Sequence, residues 1–196
     1  LALALGARAA PLPQLAVAPR ELTVSGVSSG GYMATQFHVA FSGIVRGAGV
    51  FAAGPWYCAR GSLARAYGDC LDRERSDPGA AALVALARRA AHEGRIDATA
   101  GLAASRAFVF HGSRDTTVAP AVTRALVDFY RAFLPPAGIV YVDDVAAGHG
   151  MPTGTAGAPC GTTAAPYLNA CGYDGVATML AFLYGALPAA APAGAG

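Results

Sequence analysis

The stretch ELTVSGVSSGGYMATQF, residues 21–37, changes character at its middle. Residues 21–27 read as a short β strand. Residues 30–42 read as a helix in which Met33, Phe37 and Phe41 recur at i, i+4 and i+8 on one face. Between them lies Gly26-Val27-Ser28-Ser29-Gly30, a tight glycine turn with the pattern G-x-S-x-G. On a strand-turn-helix this pattern holds a nucleophilic serine whose hydroxyl projects from the end of a sheet. Only Ser28 has glycine two positions away on both sides; centring on Ser29 would put Val27 where glycine belongs. Ser28 is therefore the candidate nucleophile. The Ser29 backbone N–H, at the helix N-terminus, becomes a candidate oxyanion donor.

Outward from this turn the chain alternates. Strands are expected at 47–54, 106–112 and 138–145, and helices at 81–94, 120–134 and 173–185. In the helix at 81–94, Leu83, Leu86 and Ala90 share one face, with Arg88, Arg89, His92 and Glu93 largely away from it. Pro120 suits the first turn of its helix. Residues 55–78 are irregular and hold the first cysteine pair. No internal repeat is present, and the alternation argues for an α/β fold, a parallel sheet covered on both faces by helices.

The composition limits the function. With 196 residues and 54% hydrophobic side chains the chain can build one domain with a sizeable core. A net charge of +2, with all 14 basic residues arginine, offers no basic block to follow a phosphate backbone, which argues against nucleic-acid binding. Residues 1–19, opening LALALGARAAPLP, resemble the remnant of a secretory signal peptide. The uncharged run from Val176 onward is broken by Gly185, Pro188 and Pro192, so it reads as a buried helix followed by a flexible tail at 188–196, not a membrane span. Cys58, Cys70, Cys160 and Cys171 contain no C-x-x-C and admit three connectivities, of which the two local ones are expected. Disulfides and a leader together point to a secreted protein, extracellular or periplasmic. Nothing indicates an oligomer, and a monomer is the default.

Hydrolases built around a G-x-S-x-G turn present Ser, then Asp or Glu, then His along the chain. In FVFHGSRDTTV, Asp115 lies in a loop just after a strand, where a carboxylate can orient an imidazole. Asp143 and Asp144 are rivals, but they end the strand that leads directly to the candidate histidine. In AAGHGMPTG, His149 sits between glycines in a loop after the last strand. His38 lies inside the first helix, His92 on a polar helix face and His111 at a strand end, so His149 is the candidate base. Ser28, Asp115 and His149 together suit ester hydrolysis through an acyl-enzyme, which requires no metal or organic cofactor. Trp56 and Tyr57, near a strand end, could form an apolar wall for an ester chain or pack beside a disulfide.

These motifs carry a resemblance. VSGVSSGGYMA, AGPWYC, the Gly-x-x-Asp-x-x-Val loop, GHGMPT and CGYDGVATMLAFLYG resemble extracellular poly(3-hydroxybutyrate) depolymerases of the single-domain, circularly permuted α/β-hydrolase type, over about residues 20–187. The resemblance implies Ser28, Asp115 and His149 as the triad, Ser29 as an oxyanion donor and a polyester or oligoester substrate. Cys58–Cys70 and Cys160–Cys171 pairing is consistent with it. It also implies strands and a His-Gly-Cys-like loop after the last helix, the loop completing the oxyanion hole. The chain reaches APAGAG without such a loop, so a partial catalytic domain with half of that hole is expected.

Overall fold

The computed structural model describes residues 21–71 and 79–185, so the expected leader and tail lie outside the described residues. Four strands, β1 (Leu22–Val27), β2 (Val45–Phe51), β3 (Arg106–Phe110) and β4 (Ile139–Val142), form one sheet in the order β1-β2-β3-β4. Every pairing in it is parallel. Val27, Phe51, Phe110 and Val142 lie in register across the sheet, so its strands end together and the loops that follow emerge along one rim.

Alternation within the central strands divides the core. Ala48, Val50, Ala107 and Val109 face a cluster shared with α1 (Ser29–Ala40), α3 (Ala80–His92) and α4 (Pro120–Arg131). Phe51, Phe108 and Phe110 face the opposite side, where Met179 of α5 (Gly175–Tyr184) packs. Helices thus cover both faces, as the alternation predicts. Gly49 explains part of the β2 sequence: a Cβ there would overlap the Met179 sulfur, so glycine lets α5 sit directly on the sheet.

The structure settles one point the sequence left open and changes another. Met33, Phe37 and Phe41 are 64, 37 and 45% exposed, and α1 instead buries Gly31, Ala34, Thr35, His38 and Val39. A parallel sheet admits a helix closely when the inner face is small, so here the bulky stripe faces outward. The region expected to be irregular contains a short helix, α2 (Leu63–Gly68), whose first turn is capped by Ser62 accepting from the Arg65 N–H.

The loop after β4 also gains order. Three short strands, β5 (Met151–Thr153), β6 (Ala158–Pro159) and β7 (Leu168–Ala170), form a parallel sheet in the order β5-β7-β6. Buried Asn169 on its central strand donates to the carbonyls of Cys160 and Thr162. Both expected disulfides are formed, Cys58–Cys70 and Cys160–Cys171. Among the described residues no helix is long and apolar enough to cross a membrane.

Candidate active site

Ser28 stands between β1 and α1 with φ 55° and ψ −122°, a conformation that costs an L-residue energy. Its backbone is held from both sides: the Ser28 N–H donates to the Phe51 carbonyl at 2.9 Å, and the Tyr32 N–H donates to the Ser28 carbonyl at 2.9 Å. Its side chain makes no capping bond to the helix, which leaves the hydroxyl available to a ligand. Gly26 is required by close approach, since a Cβ there would overlap the Gly30 backbone; Gly30 itself faces open space. Of the two glycines it is therefore Gly26 that close approach requires. Ser29 opens α1, in the turn whose N–H groups have no acceptor within the helix.

Asp115 and His149 reach the same rim from β3 and β4. The segments that carry them run side by side: the N–H groups of His111, Ser113 and Arg114 donate to the carbonyls of Val142, Val145 and Ala147 at 2.8–3.0 Å. This ladder prolongs the pairing of β3 and β4 beyond the strands. Asp115 Oδ2 pairs with His149 Nδ1 at 2.8 Å, and both side chains are buried. Asp115 Oδ1 accepts from the Thr117 and Val118 N–H groups at 2.7 and 3.0 Å. Burial alone would raise the Asp115 pKa; the hydrogen bonds from His149, Thr117 and Val118 outweigh it and hold the carboxyl below its usual value. A carboxylate on Nδ1 fixes the tautomer in which Nδ1 carries the proton, leaving the Nε2 lone pair free to act as a base. The His149 N–H is held by Thr163 Oγ1 at 2.9 Å.

The rival residues fall elsewhere. Asp143 and Asp144 are exposed. His38 is fully buried between Tyr130 and Ser105, at 3.0 Å from each, and His111 is bonded to Thr123 Oγ1 at 3.1 Å. His92 is on the exposed surface of α3.

Two cavities meet at the serines. One, of about 500 Å³, is lined by Ser28, Ser29, Tyr32, Met33, Tyr57 and the Cys58–Cys70 bridge. The Tyr32 hydroxyl donates to the Cys70 carbonyl and ties the bridged loop to α1. The second, of about 420 Å³, is lined by Ser28, Ser29, Thr117, His149, Thr163 and Tyr167. Of the two aromatic candidates, Tyr57 reaches a cavity, whereas Trp56 is 7% exposed and packs into the core beneath α3 and α4. Tyr32 and Tyr167 were not singled out from sequence. Tyr167 sits in a Gly/Pro/Thr-rich loop with no periodicity, and its only signal is an aromatic residue between two cysteines.

No protein-family model matches the chain. A poly(3-hydroxybutyrate) depolymerase of Delftia acidovorans is 43% identical over 179 residues, covering 91% of this chain and 36% of that protein. A polyhydroxybutyrate depolymerase of Talaromyces funiculosus is 37% identical over 185 residues, covering 92% of this chain and 53% of that protein. The crystal structure of PHB depolymerase from Penicillium funiculosum superposes with a TM-score of 0.81 at 34% identity, over 92% of this chain and 56% of that one. A substituted PHB depolymerase complexed with an R3HB trimer superposes with a TM-score of 0.80 at 34% identity, over 91% of this chain and 55% of that one. The chain spans between about a third and about a half of the length of these relatives. It is a homologue of the poly(3-hydroxybutyrate) depolymerases, α/β-hydrolase-like in fold, that corresponds to part of their length.

Proposed function

We propose that the chain carries the serine-esterase centre of a secreted enzyme that hydrolyses poly(3-hydroxybutyrate) or its oligomers. The observation that carries this reading is the buried Asp115–His149 pair, at 2.8 Å, facing a cleft shared with a serine in left-handed backbone. Ser28 Oγ attacks the ester carbonyl while His149 Nε2 takes its proton. The oxyanion accepts from the Ser29 N–H. His149 then returns the proton to the departing alkoxide, leaving an acyl-serine. Water, deprotonated by the same nitrogen, releases the carboxylic acid and restores Ser28. Asp115 remains ionised throughout and stabilises the imidazolium. No step in this sequence calls for a metal or organic cofactor.

The polyester substrate is suggested by the homologues, and a mostly apolar cavity beside Ser28 suits a chain of methyl-branched ester units. Two disulfides fit an oxidising compartment. The test is release of 3-hydroxybutyrate acids from oligomer and from polymer suspension, with Ser28→Ala as control. Release that depends on Ser28 is expected; release unchanged in Ser28→Ala would overturn the reading.

A further inference from the structure

The two cavities that meet at Ser28 are chemically unequal. The second contains His149, the group that must deliver a proton to the departing alkoxide, and the first does not. A proton donor has to lie on the leaving-group side of the scissile carbonyl. The alcohol half of an ester therefore belongs in the second cavity and the acyl half in the first.

Each cavity also presents one exposed tyrosine from a constrained backbone. Tyr57 in the first has φ 57° and is 40% exposed; Tyr167 in the second has φ 60° and is 49% exposed. Left-handed conformation is uncommon for an aromatic residue and persists where the surroundings enforce it. The Tyr167 N–H donates to the Ala164 carbonyl at 2.8 Å, and its own carbonyl accepts from the Met151 N–H at 2.8 Å. The next residues form β7, bonded through Asn169 to the loop closed by Cys160–Cys171. The phenol is thus carried at the mouth of the His149 cleft on a fixed backbone, an aromatic surface displayed beside the position of the leaving group.

We propose that Tyr167 is a specificity-determining contact for the alcohol half of the substrate, its ring packing against the ester unit that follows the scissile bond. This rests on the serine-esterase reading above. A chain of several 3-hydroxybutyrate units extends past the ring, whereas a methyl ester has no atoms there. Tyr167 should therefore select for multi-unit esters over small ones.

The test uses the full chain with Ser28→Ala, which binds without turnover, and two probes: the linear (R)-3-hydroxybutyrate trimer and methyl (R)-3-hydroxybutyrate, each titrated by NMR. Tyr167→Gly removes the ring and suits the left-handed backbone, while Tyr167→Phe keeps the ring. Removing an aromatic contact of this kind is expected to weaken trimer binding about tenfold. Tyr167→Phe should bind trimer as the parent does, and methyl ester binding should be the same in all three proteins. Unchanged trimer affinity in Tyr167→Gly, a parallel loss for both probes, or no trimer binding to the parent would each overturn the proposal. Serine chemistry is read separately, by fluorophosphonate labelling of the chain with Ser28 intact, so failure of the esterase reading is distinguishable from failure of the Tyr167 assignment.

Discussion

At the residue scale the site depends on which atoms are already occupied. Asp115 uses Oδ1 for two backbone N–H groups and Oδ2 for His149, so an amide in its place would present the wrong partner to Nδ1. Asp115→Asn is expected to lower turnover about 10⁴-fold with little change in fold, by favouring the wrong imidazole tautomer; ester hydrolysis rates together with circular dichroism check it. A second titratable residue governs stability. The Ser105 hydroxyl donates to the Leu102 carbonyl, so it accepts from His38 Nε2–H, and His38 Nδ1 then accepts from the Tyr130 hydroxyl. Protonated His38 would lose that last bond, and burial lowers its pKa from 6.5 to about 4. The unfolded chain binds the proton more tightly, so this contribution is full above about pH 6.5, falls through the window down to about 4, and amounts to about 3 kcal/mol. Denaturant titrations at pH 7 and pH 4.5 should show the loss, and His38→Gln should flatten it. The Asp115–His149 pairing was legible in sequence because serine, aspartate and histidine came in a chemically meaningful order and in loops after strands. Trp56 was ambiguous because an aromatic residue at a strand end serves a wall or a core equally well, and here the core holds it.

At the scale of elements, the four strands of the main sheet were legible as short runs rich in apolar and β-branched residues with turn residues around them, of which the central pair, β2 and β3, is the buried one. Their limits shifted, the strand expected at 138–145 shrinking to Ile139–Val142 and the one expected at 47–54 forming earlier, at Val45–Phe51. The β5-β7-β6 sheet was not legible: strands of two or three residues in a Gly/Pro/Thr-rich segment leave no alternation to read. The direction of the α1 stripe was not legible, because i, i+4 spacing of large residues marks a stripe without saying which way it faces. Each bridged loop closes one cavity, so the bridges matter to both stability and site. Replacing Cys58 and Cys70 together with alanine is expected to cost about 2–3 kcal/mol, measured by chemical unfolding. It should also loosen the wall opposite Ser28, seen as weaker binding of esters with long acyl groups.

At the scale of the molecule, β1 is the edge of the parallel sheet among the described residues, and the described surface beside it is apolar. Leu22, Met33, Phe37, Phe41 and Ile44 are all exposed, and the Phe37 and Phe41 rings lie 4.6 Å apart. Parallel strands are ordinarily covered, and an open edge flanked by apolar side chains promotes association. The chain is therefore expected to associate as its concentration rises, departing from the monomer taken as the default. Light scattering across a dilution series checks this, and Phe37→Glu combined with Phe41→Lys should restore the monomer. At the rim at the other end of the strands, Ser28 and His149 line one cleft and Asp115 bonds His149, and all three are described residues. The most direct test of the proposed triad is fluorophosphonate labelling of the purified chain, with peptide mapping and a His149→Ala control. A single adduct on Ser28, lost in the control, is the predicted result; a folded protein with no adduct, or with the adduct on Ser29, would contradict it.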